Sequence, residues 1–161
     1  MGTKVLTTSH TALKKKMLEA GIKKHQSVID DFNQSIKSML ASEGIVNEEE
    51  MDLSQQGFNT EIVQRVNNLA DQLEFANEEM KLLFDMQPTI EYVHNTVQPG
   101  SVVVTDKDIF FVSVSIERFE VEGLSVFGLS TESPIYQEMK GLKKGDVFSY
   151  KKTRYKISDV F

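Results

Sequence analysis

Two stretches of the chain place side chains at alternating steps of four and three residues. The first is Leu18, Ile22, His25, Ile29, Phe32, Ile36 and Met39; the second is Ile62, Val66, Leu69, Leu73, Ala76, Met80 and Leu83. That spacing lines side chains along one seam of a helix, and such a seam is buried by packing against a partner helix. The stretches mirror each other. Leu18 with Leu73, Ile22 with Leu69, His25 with Val66 and Ile29 with Ile62 have residue numbers that each sum to 91. The mirror point lies between Ile45 and Val46, so the spacing predicts a long antiparallel helical hairpin over residues 1–88. A hairpin of this kind is poorly suited to housing a pocket and well suited to reaching into something.

Capping signals place its turn. Residues 1–8 read as a short disordered lead, and Ser9 or a neighbouring Thr caps a first helix running to about Glu43. Gly44 suits the left-handed position just past a helix end. Asn47 with Glu50 has the spacing of a capping box, and Val46 with Met51 that of a hydrophobic staple. Glu48, Glu49 and Glu50 fill the next first turn, where the helix dipole favours each carboxylate by about 0.3–1 kcal/mol. The tip, at about 44–52, is therefore acidic. The register stutters at Phe58, Ile62 and Val66, and Gly57 there costs about 1 kcal/mol relative to alanine. Pro88 ends the second helix at about Met86.

Composition narrows the class. The chain has 161 residues, a net charge of −6 and no cysteine. The acidic balance disfavours indiscriminate nucleic-acid binding. The lack of cysteine excludes disulfides and thiolate chemistry. No apolar run approaches the roughly 18 residues of a membrane span, and the amino terminus lacks a signal-peptide core. The expectation is a soluble, cytoplasmic, monomeric protein.

After Pro88 the texture changes. Apolar β-formers recur at 102–104, 109–116, 119–121, 124–129, 147–150 and 155–160, punctuated by Pro99-Gly100, Lys107-Asp108 and Gly123. Phe110, Val112, Val114 and Ile116 alternate as in a strand with one buried face. Lys151-Lys152-Thr153 reads as a tight hairpin, and 134–140 as one short helix with Ser133 as cap and Pro134 at its first position. The fold class predicted is α+β: a helical hairpin over 1–88, then a small, mostly antiparallel sheet with one helix over 89–161.

The carboxyl half carries a resemblance. Ser133-Pro134-Ile135, then Gly141-Leu142-Lys143-Lys144-Gly145-Asp146, then a hairpin closing on Ile157-Ser158-Asp159-Val160, resembles the end of bacterial transcript-cleavage factors of the GreA/GreB family. Gly100-Ser101-Val102-Val103-Val104 looks like that family's opening strand. The amino half is similar by architecture, a coiled-coil hairpin ahead of an FKBP-like domain. The resemblance implies a transcription elongation factor that docks on RNA polymerase with its compact domain, with Ser133, Pro134 and Ile135 as candidate contacts. It implies a hairpin inserted through the secondary channel, in contact with RNA and DNA only within the elongation complex. Two tip acids would help hold a Mg²⁺ shared with the polymerase active site. The factor would not be an enzyme; the polymerase would cleave its own backtracked transcript. A hard divalent cation accepts one or two protein carboxylates, and a second metal neutralises charge on the attacking and leaving oxygens.

This chain departs from the family tip, which runs roughly D-L-S/K-E-N-A-E-Y. Asp52-Leu53-Ser54-Gln55-Gln56-Gly57-Phe58 keeps the first acid but has Gln55 in place of the second. Asp52 is the fifth residue after the cap, so it sits about 7–8 Å below the expected turn. Glu48 or Glu49 shares a helix face with Asp52 at i,i+4 or i,i+3. The candidate catalytic residues are thus Asp52, Glu48, Glu49 and Glu50, and the candidate Mg²⁺ ligands Asp52 with Glu48 or Glu49. The same glutamates also serve helix initiation alone. Alternatives are a secondary-channel regulator without cleavage activity, a prolyl isomerase and a plain coiled-coil interaction module. His25 reads as a seam residue packed on Val66, Lys14-Lys15-Lys16 and Lys23-Lys24 as solvated helix face, and Phe110, Phe111, Phe119 and Phe127 as sheet core. His10 and His94 have no ligand-like neighbours in sequence.

Overall fold

The computed structural model describes residues 9–42 and 60–161. The amino-terminal lead, the expected hairpin turn and, of the stutter beside it, Gly57 and Phe58 lie outside the described residues. The chain is α+β. Helix α1 spans His10–Ser42 and helix α2 spans Thr60–Asp85, followed by a 3₁₀ turn at Gln87–Thr89. Strands β1 (Val102–Thr105), β2 (Ile109–Ser113), β3 (Ile116–Val121) and β4 (Leu124–Ser130) precede α3 (Pro134–Met139); β5 (Val147–Tyr150) and β6 (Thr153–Val160) follow it. Among the described residues no helix is long and apolar enough to cross a membrane.

Both helices follow the seam read from the sequence. Every one of the fourteen seam side chains is buried or half-buried, while most of their helical neighbours are exposed. The pairing across the seam differs from the mirror. Val66 packs with Leu40 in a cluster completed by Ile36, Met39 and Ile62. His25 is buried, but its Nε2 lies 2.8 Å from the carbonyl oxygen of Ala76, not against Val66. These pairs have residue numbers summing to 106 and 101 rather than 91. A buried imidazole needs a hydrogen-bond partner, and the helix carbonyl at position 76 provides one.

The strands form one six-stranded sheet in the order β3-β4-β2-β1-β6-β5. All neighbouring pairs are antiparallel except β2 with β4, which run parallel from Ile109↔Val126 to Ser113↔Ser130. Two hairpins close through residues of positive φ, Glu122-Gly123 and Lys151-Lys152, the geometry of a two-residue turn matched to strand twist. The Lys151-Lys152 turn is the one expected before β6.

One face of the sheet carries Val103, Phe110, Val112, Leu129, Phe148 and Ile157, packed with Tyr136 and Met139 of α3. Phe127 packs partly buried against this cluster. The single buried face expected of Phe110 and Val112 is too few. Phe111 points the other way and is also fully buried. The second face is covered by the first turns of α1. His10 stacks on Phe161 with ring centroids 4.0 Å apart, and its Nε2 is 3.2 Å from Asp159. Gly21 lies so close to β3 that a Cβ there would be 3.2 Å from Ile116 Cδ1. Two covered faces explain why β2, mid-sheet, reads as nearly continuous apolar sequence. The strand also ends at Ser113, and Ile116 belongs to β3.

By internal contacts the chain forms two compact units, Met1–Lys24 with Lys81–Phe161, and His25–Met80.

Candidate functional site

The segment Ser133-Pro134-Ile135 starts α3. Ser133 Oγ donates to the Ser130 carbonyl at 2.6 Å, holding the turn that feeds the helix. Pro134 occupies the first helical turn, where a missing N–H costs nothing, and it is exposed. Ile135 is half-buried and packs against the sheet core. Of the three candidate contacts, Pro134 is thus the most open to a partner, and Ile135 is largely committed to the fold.

The Gly141-to-Asp146 pattern has a structural account. Gly141 and Gly145 adopt φ of +78° and +93°. The Lys143 amide donates to Asp146 Oδ2 at 2.9 Å, Gly145 N donates to Ile157 O, and Ile157 N to Asp146 O. These residues fix a loop between α3 and β5. Gly145→Ala should therefore cost about 1–2 kcal/mol through backbone conformation, although a Cβ there meets no atom within 4 Å. Urea denaturation checks this.

The tip acids Asp52, Glu48, Glu49 and Glu50 lie outside the described residues. Among the described residues no group of three acidic, histidine or cysteine side chains is placed to hold a metal ion.

Two features escape local sequence reading. Lys14 is not solvated: it has no exposed surface, and its Nζ donates to the carbonyl of Tyr92. Burial lowers its pKa to about 8. Its neighbours differ, since Lys15 is exposed and Lys16 pairs with Glu122 at 2.7 Å. The contact ties α1 to the strap of residues 90–101, which links α2 to β1. The strap is further held by Val97 N to Leu142 O at 2.8 Å, Gly141 N to Val97 O at 2.9 Å and Gly100 N to Val112 O at 2.8 Å. His94 sits on this strap. Burial, and secondarily the charge of Lys14, hold its pKa below the usual histidine value.

The second feature is a half-open cleft of about 490 Å³ between the end of α2, the strap and the sheet. Leu82 and Met86 line it from α2, Tyr92 and His94 from the strap, and Val112 and Thr131 from the sheet side. Leu82 and Tyr92 are 56% and 65% exposed. Apolar side chains this large and this exposed, grouped around one concavity, mark an interaction surface better than scattered ones do. The sequence signal is weak, because the lining residues come from distant segments.

No family model matches the chain, and no curated protein matches it. Among solved structures, one described as the structure of the transcription factor Gfh1 aligns over 92% of this chain and 93% of its own, at 13% identity and a TM-score of 0.36.

Proposed function

We propose that the chain is a Gre-like transcription factor that binds bacterial RNA polymerase through its sheet-containing part. In this reading α1 and α2 form a hairpin that enters the secondary channel and stimulates cleavage of backtracked transcripts. The observation that carries the reading is the reversed order of contacts along the two helices. Leu40, late in α1, meets Val66, early in α2, while the earlier His25 meets the carbonyl of the later Ala76. That order supports reading the two helices as the arms of an antiparallel hairpin. It stands on a chain whose carboxyl half bears the Ser133-to-Asp146 pattern. The part of α1 outside the sheet-containing unit, residues 25–42, is roughly 27 Å long at about 1.5 Å per residue.

The chain would supply carboxylate oxygens from Asp52 and from Glu48 or Glu49 to a Mg²⁺ shared with the polymerase, and the polymerase would perform the hydrolysis. Asp52→Ala and the Glu48→Ala/Glu49→Ala double variant are each expected to reduce transcript shortening in a backtracked complex to the unstimulated rate. Full stimulation by both variants would contradict this assignment.

A second reading has one observation in its favour. Gln55 stands where the family carries an acid, and a neutral amide is a much weaker Mg²⁺ ligand than a carboxylate. A factor that occupies the channel without supporting cleavage would slow elongation and leave backtracked transcripts at full length.

A further inference from the structure

Charge is unevenly spread along the chain. Residues 140–156 hold seven lysines and arginines against one acid, Asp146, whereas in the rest acids outnumber cations about two to one. We propose that the outer face of the β5–β6 hairpin binds a single strand of nucleic acid through its phosphates. This goes beyond the polymerase reading and does not depend on it.

The fold gathers these cations. Strands β5 and β6 pair at one end of the sheet, with Ser149 opposite Arg154 and Val147 opposite Lys156. These four residues share one face and are exposed, while Phe148 and Ile157 are buried on the other. Residues two apart on a strand are about 6.4–6.8 Å apart. Arg154 and Lys156 therefore stand in a row, continued at the turn by the exposed Lys151 and Lys152. Among the described residues none of these four cations forms an ion pair. Asp106 accepts a hydrogen bond from the Lys156 amide at 2.9 Å and pairs with Lys107 at 3.2 Å, so its charge is already engaged.

The turn points to a role beyond the fold. Lys151 and Lys152 adopt φ of +47° and +65°. Two-residue turns of this kind favour Asn-Gly, because side chains resist positive φ. The β3–β4 turn meets that demand in part with Gly123, whereas the β5–β6 turn puts lysine at both positions. Strain kept where a better local choice exists is a mark of function. Lysine also protects sheet edges from pairing, but the edge strand β5, Val147–Tyr150, carries no charge of its own. The composition of the face selects the partner. Protein interfaces are depleted in lysine, while nucleic-acid interfaces are polar and strongly positive. Cations in single file suit one phosphate backbone. Acids more than about 10 Å away are largely screened at 0.1 M salt.

Fluorescence anisotropy of a labelled short oligouridylate, with the full chain added and polymerase absent, tests this across a salt series. The unsubstituted chain should bind, with affinity falling as salt rises. The Arg154→Gln/Lys156→Gln variant should lower the salt slope by about 1.4, the loss of two phosphate contacts on a single strand. The Lys151→Asn/Lys152→Gly variant gives the turn its preferred residues, so it should melt at least as high as the unsubstituted chain while losing a similar part of the slope. Lys23→Gln/Lys37→Gln removes two exposed lysines of α1 and should leave binding unchanged. No binding at low salt, or an unchanged slope in both hairpin variants, overturns the proposal. Equal weakening by the α1 variant also overturns it, because binding would then follow net charge alone. Tighter binding to a duplex of the same length rejects the single strand, and equal competition by polyglutamate makes the partner an acidic protein instead. With polymerase absent, none of these outcomes bears on channel insertion.

Discussion

Gly128→Ala is expected to destabilise the protein by about 3 kcal/mol or more, at the upper end of what overpacking a core costs. A Cβ at that position would lie 2.6 Å from Ile116 Cβ, 2.6 Å from the Val114 carbonyl oxygen and 2.7 Å from Ile116 Cγ1. Neither neighbour can yield cheaply. Ile116 is buried, is paired with Gly128 across β3 and β4, and lies against α1 at Gly21. The Val114 oxygen is backbone. Relief would require shifting the start of β3, beside the register irregularity between Ile116 and Phe119. Urea denaturation followed by circular dichroism measures the loss, and a change under about 1 kcal/mol would contradict this packing. Gly145→Ala provides the contrast, since there only backbone conformation opposes the added methyl.

Lys14→Met should change how stability depends on pH more than it changes stability itself. Burial sets the Lys14 pKa near 8, below the ordinary 10.5. Between those values the unfolded chain binds the proton more tightly than the folded one, so unfolding takes up a proton and stability rises with pH. Below about pH 8 the ammonium is charged in both states and the whole burial cost is present; above 10.5 that cost is gone. The cost is on the order of 3 kcal/mol by the usual conversion of pKa to free energy. Methionine fills a similar volume but has no proton to release and leaves the Tyr92 carbonyl without its donor, which costs about 1–3 kcal/mol. Near pH 7 these effects oppose each other and the variant should be close to the unsubstituted chain. From pH 8 to 10.5 the unsubstituted chain should gain about 3 kcal/mol over the variant. Parallel stability curves across that window would refute the buried ammonium. Comparing the two chains cancels the other groups that titrate there.

Much of the architecture was legible in the sequence because its signals are local. Period-two alternation and turn residues placed the strands, and Ser133 with Pro134 placed α3. Every residue of the heptad seams proves buried or half-buried, but Leu13, Lys14, Met17 and Leu40 of α1 are buried outside them. The pairing of the seams was not legible, for a physical reason. A seam that repeats every seven residues fits its partner almost as well after slipping by a heptad, so apolar spacing alone leaves the register open. The polar member, His25, helps settle it by bonding the Ala76 carbonyl. Which of three consecutive lysines is buried depends on a carbonyl 78 residues away, beyond any local window. Phe111 was legible as core, yet its burial on a second sheet face depends on α1 crossing that face. Of the candidate site, the Ser133-to-Asp146 pattern was found where α3 and its loop place it. Its glycines and Asp146 prove to hold a loop, and the cleft of Leu82 and Tyr92 had no local signature at all.

The proposed action in the secondary channel of RNA polymerase, on backtracked transcripts, has a direct readout. The direct measurement is the length of a 5′-labelled transcript in a stalled, backtracked bacterial elongation complex after the protein is added. Shortening from the 3′ end that rises with protein concentration and disappears with Asp52→Ala is expected. A transcript that stays at full length at every concentration, in a complex that the protein neither binds nor slows, would contradict it.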